Sequence, residues 1–141
     1  MLVDANVLLY SVDVTSRHHE KANEWLTAAL NGDRRVEIPW MSIWAFVRIA
    51  TSPRASRNPL TSEEAWEHVE GWLEARAAWV PEPGPSHEDI LGDLLRRLDL
   101  RGRLVADAVL AAVAIEHGLA VVSADSDFAR FPEVTWINPL L

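Results

Sequence analysis

Asp4 follows a short apolar run, Asp107 interrupts the most apolar stretch of the chain, and Asp125, with Asp127 two residues on, directly follows Leu119-Ala120-Val121-Val122. Carboxylates brought within a few ångströms repel, and an isolated charge in a dry site is very costly. A cluster of them makes physical sense chiefly around a cation. The chain has no cysteine, and its five histidines, His18, His19, His68, His87 and His117, show no i, i+4 pair of the kind that binds zinc on a helix. An all-oxygen donor set favours Mg²⁺, with Mn²⁺ as a substitute. Such ions keep positions for water and phosphate oxygens, which suits hydrolysis of a phosphodiester by a water that the metal activates.

Each acid also has a plainer reading. Asp4 can end a strand through a turn onto the backbone near Asn6. Asp107 lies five residues after Gly102, where it can serve as the N-cap or a first-turn acid of a helix. Asp125 and Asp127 can form a polar turn. Only their conjunction at strand ends argues for a shared site, and for Asp107 the apolar surroundings add to that argument.

The elements that must position these acids follow from pattern and punctuation. Leu2 to Leu9 is a β-compatible run, and His18 to Leu30 carries Ala22, Trp25, Leu26, Ala29 and Leu30 at helical spacing before Asn31-Gly32. Val36 to Pro39 reads as a strand and Met41 to Ala50 as a helix ended by Thr51-Ser52-Pro53. Thr61 with Glu64, and Ser86 with Asp89, are capping boxes that predict helices to about Ala78 and about Leu98, with a short strand at Trp79-Val80-Pro81 between them. Leu104 to Ile115 predicts a helix buried on most sides and stopped by Gly118. Leu119 to Val122 and Thr135 to Ile137 complete the strands. This alternation predicts an α/β fold with a mainly parallel sheet flanked by helices and a site outside the carboxyl ends of its strands.

At 141 residues the chain is expected to be a single domain, residues 1–141. Hydrophobic residues at 49% and charged residues at 24% make a globular composition and exclude disorder as the main state. Thirteen Lys and Arg against 21 Asp and Glu leave a net charge of −8, so bulk attraction to nucleic acid is excluded and any polyanion must be met locally. The start Met1-Leu2-Val3-Asp4 does not read as a signal peptide, and no apolar run is long enough to span a membrane. The expected location is the cytoplasm.

Leu2-Val3-Asp4-Ala5-Asn6-Val7-Leu8-Leu9-Tyr10, Asp107-Ala108-Val109-Leu110-Ala111-Ala112 with Glu116-His117-Gly118, and Val122-Ser123-Ala124-Asp125-Ser126-Asp127-Phe128 together resemble, in order, the motifs of PIN domains, and specifically of VapC-like toxins. The resemblance runs from Leu2 to Pro139, including Trp136-Ile137-Asn138-Pro139-Leu140. It implies a PIN-like three-layer fold and a Mg²⁺-dependent endoribonuclease of a type II toxin–antitoxin system. It also implies a homodimer, held inactive by a cognate VapB-type antitoxin whose C-terminal segment covers the site. By the same resemblance Asp4, Asp107 and Asp125 are the catalytic metal ligands, Asp125 directly or through water. Asn6, Ser123 and Asp127 support them. One position departs from the family, since Ala45 in Ala45-Phe46-Val47-Arg48 replaces its usual glutamate and no acid lies between Glu37 and Glu63 to substitute.

Two other readings compete with catalysis on RNA. A PIN-like module weakened by Ala45 could retain only dimerisation and antitoxin binding. A phosphotransferase of the haloacid-dehalogenase kind also begins with a strand-end aspartate, but expects a second one where Asn6 stands. Arg48, Arg54 and Arg57 form a locally basic strip free of acids and are candidate RNA contacts. Glu116, nine residues from Asp107, faces the opposite side of its helix, and the histidines are expected to be structural or at the surface. Of seven tryptophans, Trp25 and Trp66 are expected in the core. Trp40 with Trp44, and Trp72 with Trp79, are candidate partner anchors.

Overall fold

A computed structural model describes residues 1–141. In chain order the elements are β1 (Leu2–Val3), α1 (Ala5–Val12), α2 (His19–Leu30), β2 (Val36–Glu37), α3 (Trp40–Ala50), α4 (Ser62–Glu74), β3 (Ala78–Trp79), α5 (His87–Arg97), α6 (Leu104–His117), β4 (Val121–Val122), a 3₁₀ turn (Ser126–Arg130) and β5 (Trp136–Ile137). The five strands form one sheet in the order β3-β2-β1-β4-β5, and every pairing is parallel. Parallel neighbours need crossover connections, and the helices that make them cover both faces. The architecture is therefore the three-layer α/β fold expected from the alternation of strands and helices.

Strand side chains alternate between the faces, and two cores result. Val3, Val36 and Val122 point into one, shared with Val7, Leu8, Ile43, Phe46, Val69 and Trp72 of α1, α3 and α4. Leu2 and Val121 point into the other, with Leu94 of α5, Leu110 and Ala111 of α6, Phe128 and Phe131. Because each strand is buried on both sides, its sequence shows an apolar run rather than an alternation.

Several expectations change in detail. The run Leu2 to Leu9 is not one strand: it splits at Asp4, whose extended backbone and side chain cap α1 by accepting the Ala5 N–H at 2.7 Å. An apolar run buried all round has no period that separates strand from helix, so the polar break at Asp4 is the only local signal. Thr61 and Glu64 form the expected capping box, although α4 ends at Glu74 rather than near Ala78. Ser86 does not cap α5 through its side chain, because its backbone is already helical. Its N–H, and that of Gly84, are taken by the Glu116 carboxylate, each at 2.8 Å. A Cβ on Gly84 would lie 2.6 Å from a Glu116 oxygen, so glycine lets the loop approach this closely.

Trp66 is not in the core but 44% exposed, since α4 turns Ala65, Val69 and Trp72 inward. Trp72 is accordingly a core residue and not a partner anchor, with its ring 4.8 Å from that of Phe46. Trp25 packs half-buried against the first core as expected. Trp79 is exposed but already covered by Arg35, 3.9 Å above its ring.

Gly118 ends α6 in the left-handed conformation, at φ 66°, and turns the chain into β4. A Cβ is disfavoured there by about 1–2 kcal/mol, although space is available. Gly118→Ala is therefore expected to lower unfolding free energy by about that amount in denaturant titration, with the α/β circular dichroism spectrum retained.

Candidate active site

The strand order reverses between β1 and β4: β2 and β3 lie on one side of β1, while β4 and β5 lie on the other. Crevices form at such reversals, outside the carboxyl ends of the strands. Asp4 immediately follows β1, and Ser123 and Asp125 follow β4, so both segments enter that crevice.

A closed set of hydrogen bonds joins them. The Ser123 hydroxyl, fully buried, donates to Asp4 Oδ2 at 2.7 Å and accepts from Asn6 Nδ2 and the Asp125 N–H, each at 3.0 Å. One hydrogen and two lone pairs exhaust what a serine hydroxyl can offer. Asn6 Nδ2 also donates to Asp4 Oδ2 at 3.1 Å, and Asn6 Oδ1 accepts the Ala124 N–H at 3.1 Å. From behind, the Trp136 indole N–H donates to the Ser123 carbonyl at 2.9 Å. No local signal in the sequence points to this strap, because Trp136 is 13 residues away and reads as an ordinary strand residue.

Asp125 caps the following 3₁₀ turn by accepting the Asp127 N–H at 2.9 Å. The polar-turn reading of Asp125 and the site reading are thus both realised, since one carboxylate oxygen caps and the other remains free for other work. Asp107 lies in the first turn of α6, as its plainer reading required, and is half-buried. Carboxylate oxygens of Asp107, Asp125 and Asp127 lie within 4.8 Å of one another. Asp127 is therefore a full member of this tightest group, whereas Asp4 stands beside it, bound to Ser123 and Asn6. Two arginines also reach Asp127: Arg103 at 3.4 Å and Arg130 at 3.3 Å. Both are largely exposed, so their pairing is weak.

The electrostatics are those of an under-compensated anionic site. Desolvation raises the Asp4 pKa above the usual carboxylate value; the Ser123 hydroxyl and the Ala5 N–H oppose this, and the charge of Asp125 adds to it. Asp107 is pushed up to about 6, first by desolvation and then by the charges of Asp125, Asp4 and Asp127, with Arg103 opposing. Three carboxylates in mutual reach, one reluctant to ionise, form a donor set that fits a divalent cation with oxygen ligands.

Residues 1–134 match the family model described as PIN domain. The chain belongs to the PIN domain family. Among the relatives of this PIN domain is Ribonuclease VapC37 of Mycobacterium tuberculosis, 46% identical over 138 residues that span 98% of this chain and 96% of the relative. Ribonuclease VapC33 of the same organism is 36% identical over 140 residues, spanning 99% and 98%. The structure of VapBC2 from Rickettsia felis bound to a DNA fragment from their promoter matches with a TM-score of 0.72 at 14% identity, over 97% of this chain and 96% of that one. VapBC-1 from nontypeable Haemophilus influenzae matches at 0.71 and 16%, over 99% and 98%. At these identities the two structures speak for the PIN fold alone.

Other residues singled out from the sequence fall outside the crevice. Arg48, Arg54 and Arg57 are exposed at the end of α3 and in the loop after it, without an ion pair to the acids. Glu116 is spent on the 84–86 loop, and His117, in the last turn of α6, meets the Glu82 carbonyl at 2.7 Å. Ala45 lies one helical turn beyond Ser42, whose hydroxyl donates to the Val3 carbonyl at 2.7 Å. Positions three apart share a helix face, so residue 45 lies on the side of α3 turned toward the end of β1. Glu37, the nearest preceding acid, is engaged by the Met1 amino group.

A raised Asp107 pKa means that the folded chain binds the extra proton between about pH 4 and pH 6. Stability of the metal-free protein must then fall as pH rises through that window and stay lower above it. Asp107→Asn removes the ionisation, so it is expected to raise the thermal unfolding temperature near pH 7, with the advantage disappearing below about pH 4.

Proposed function

We propose that this PIN domain is a Mg²⁺-dependent endoribonuclease, with Mn²⁺ as substitute ion, and the toxin of a VapBC-type toxin–antitoxin pair. The observation that carries this reading is the convergence of Asp107, Asp125 and Asp127 within 4.8 Å, beside Asp4, in a chain whose full-length relatives are named ribonucleases. Asp4, Asp107 and Asp125 are the residues we assign as ligands, with Asp127 joining them or bridging through water. Bound there, the ion would lower the pKa of a water and offset charge on the phosphodiester.

The protein's own groups do the positioning. Ser123 and Asn6 hold Asp4 Oδ2 in one orientation, as outer groups do for metal ligands generally. The Asp127 N–H holds one oxygen of Asp125. The desolvation that raises Asp4 and Asp107 strengthens every electrostatic interaction in the crevice, so a cation is favoured there more than on an exposed acidic surface. No side chain need act as nucleophile.

Partners follow the same reading. The structural neighbours are VapBC complexes by title, and this chain is assigned a VapB-type antitoxin and a homodimeric state. Trp40 and Trp44, 36% and 68% exposed on one face of α3, support a protein contact there. We assign residues 1–141 to one PIN domain acting as a unit. No helix is long and apolar enough to cross a membrane.

Asp4→Ala and Asp107→Asn are each expected to abolish cleavage of an RNA panel while unfolding cooperatively; full activity in both would overturn the assignment. Addition of Mn²⁺ or Mg²⁺ is expected to raise the thermal unfolding temperature of the wild type, since binding to the native state must stabilise it, and not that of Asp107→Asn. Ala45→Glu should tighten Mn²⁺ binding in the same titration, as residue 45 faces the end of β1. An unchanged dissociation constant would remove that position from the site.

A further inference from the structure

Tyr10 lies one turn along α1 from Asn6, on the same helix face, and lines a cleft of about 480 Å³ with Arg17, His18, Lys21, Ala124 and Asn138. Ala124 is the residue whose N–H Asn6 accepts, and Ser123 and Asp125 flank it. The cleft and the acidic cluster therefore share two walls, α1 and the loop after β4. No Asp or Glu lines the cleft.

Its cations are also unmatched. Arg17 and Lys21 take part in none of the chain's ion pairs, although acids outnumber bases 21 to 13. Each is exposed and bonded only to a neutral acceptor. Arg17 Nε donates to His18 Nε2 at 3.3 Å, and Lys21 Nζ donates to the Leu140 carbonyl at 3.0 Å. Guanidinium N–H groups on Arg17 and two ammonium hydrogens on Lys21 stay unused. The Tyr10 ring packs against His18 at 4.9 Å between centroids and fixes the floor beneath them.

A cation in the acidic cluster would neutralise charge at one phosphate only. The neighbouring phosphates of a single strand would still face a protein of net charge −8, and that repulsion must be met by local positive groups. We propose that the cleft is a backbone subsite in which Arg17 and Lys21 bind a phosphodiester flanking the one placed at Asp4 and Asp107. The inference rests on the ribonuclease reading for the identity of the polyanion.

The test is fluorescence anisotropy of a labelled single-stranded RNA decamer of mixed sequence, in the Asp107→Asn background so that it stays intact. Arg17→Gln/Lys21→Gln should weaken binding by about tenfold, uniformly across RNA sequences. The slope of log affinity against log salt should become shallower by about 1.4, at about 0.7 per phosphate contact on a single strand. Arg96→Gln, which removes an exposed, unpaired charge on α5, should change binding by less than about twofold. Unchanged affinity and slope in the double variant, or an equal effect of Arg96→Gln, would overturn the subsite and leave the cations to an acidic protein partner. Separately, RNA cleavage in the Asp107-intact chain with an unaltered KM in the double variant would sink the subsite alone. RNA binding through Arg17 and Lys21 without any cleavage would sink the ribonuclease reading alone.

Discussion

The Ser123 hydroxyl is the joint on which the crevice turns. It is fully buried, and its single hydrogen and both lone pairs are committed to Asp4, Asn6 and the Asp125 N–H. β1 and β4 are paired over only two residues each, so little else sets the relation between the segments that leave them. With Asn6 reaching from α1 to the Ala124 N–H, the strand ends become one rigid unit. The positions of the carboxylates are thus a property of the framework, and not of loops free to adjust when a ligand arrives.

The acids pull the other way. Asp107 is pushed up to about 6 because its charged form is poorly solvated and faces three other carboxylates. This is strain of an electrostatic kind, kept because the two cores on either side of the sheet supply enough burial to hold it. Such an arrangement has lower stability than the same fold with neutral groups, and the difference is what a cation can recover on binding. Arg103 and Arg130 relieve some of the repulsion at Asp127 from the surface.

Much of this was legible before the structure. The strand-end positions of Asp4 and Asp125 and the first-turn position of Asp107 follow from punctuation and period, and the three motifs in order point to a PIN-type three-layer fold that the structure bears out. The split of Leu2 to Leu9 into a strand and a helix was less legible, since an apolar run buried on all sides carries no period. The missing cap at Ser86 illustrates a second limit. Its expected local partner lost to Glu116, 30 residues away, and tertiary competition of that kind leaves no trace in a window of sequence. Trp66 illustrates a third, because a tryptophan's size says nothing about which side of its helix the core occupies. The rank of Asp127 among the acids depended on distances that spacing alone cannot supply.

The sheet ends in β3 on one side and β5 on the other, each two residues long, and Arg35 lies across the Trp79 ring on the β3 side. An edge so brief offers no useful row of free N–H and C=O groups, so neither β-augmentation nor edge-to-edge polymerisation has a template. Any macromolecule that recognises this protein must therefore read its side chains and helix faces. Its specificity can then drift by surface substitution without touching the backbone pairing that holds the carboxylates in place.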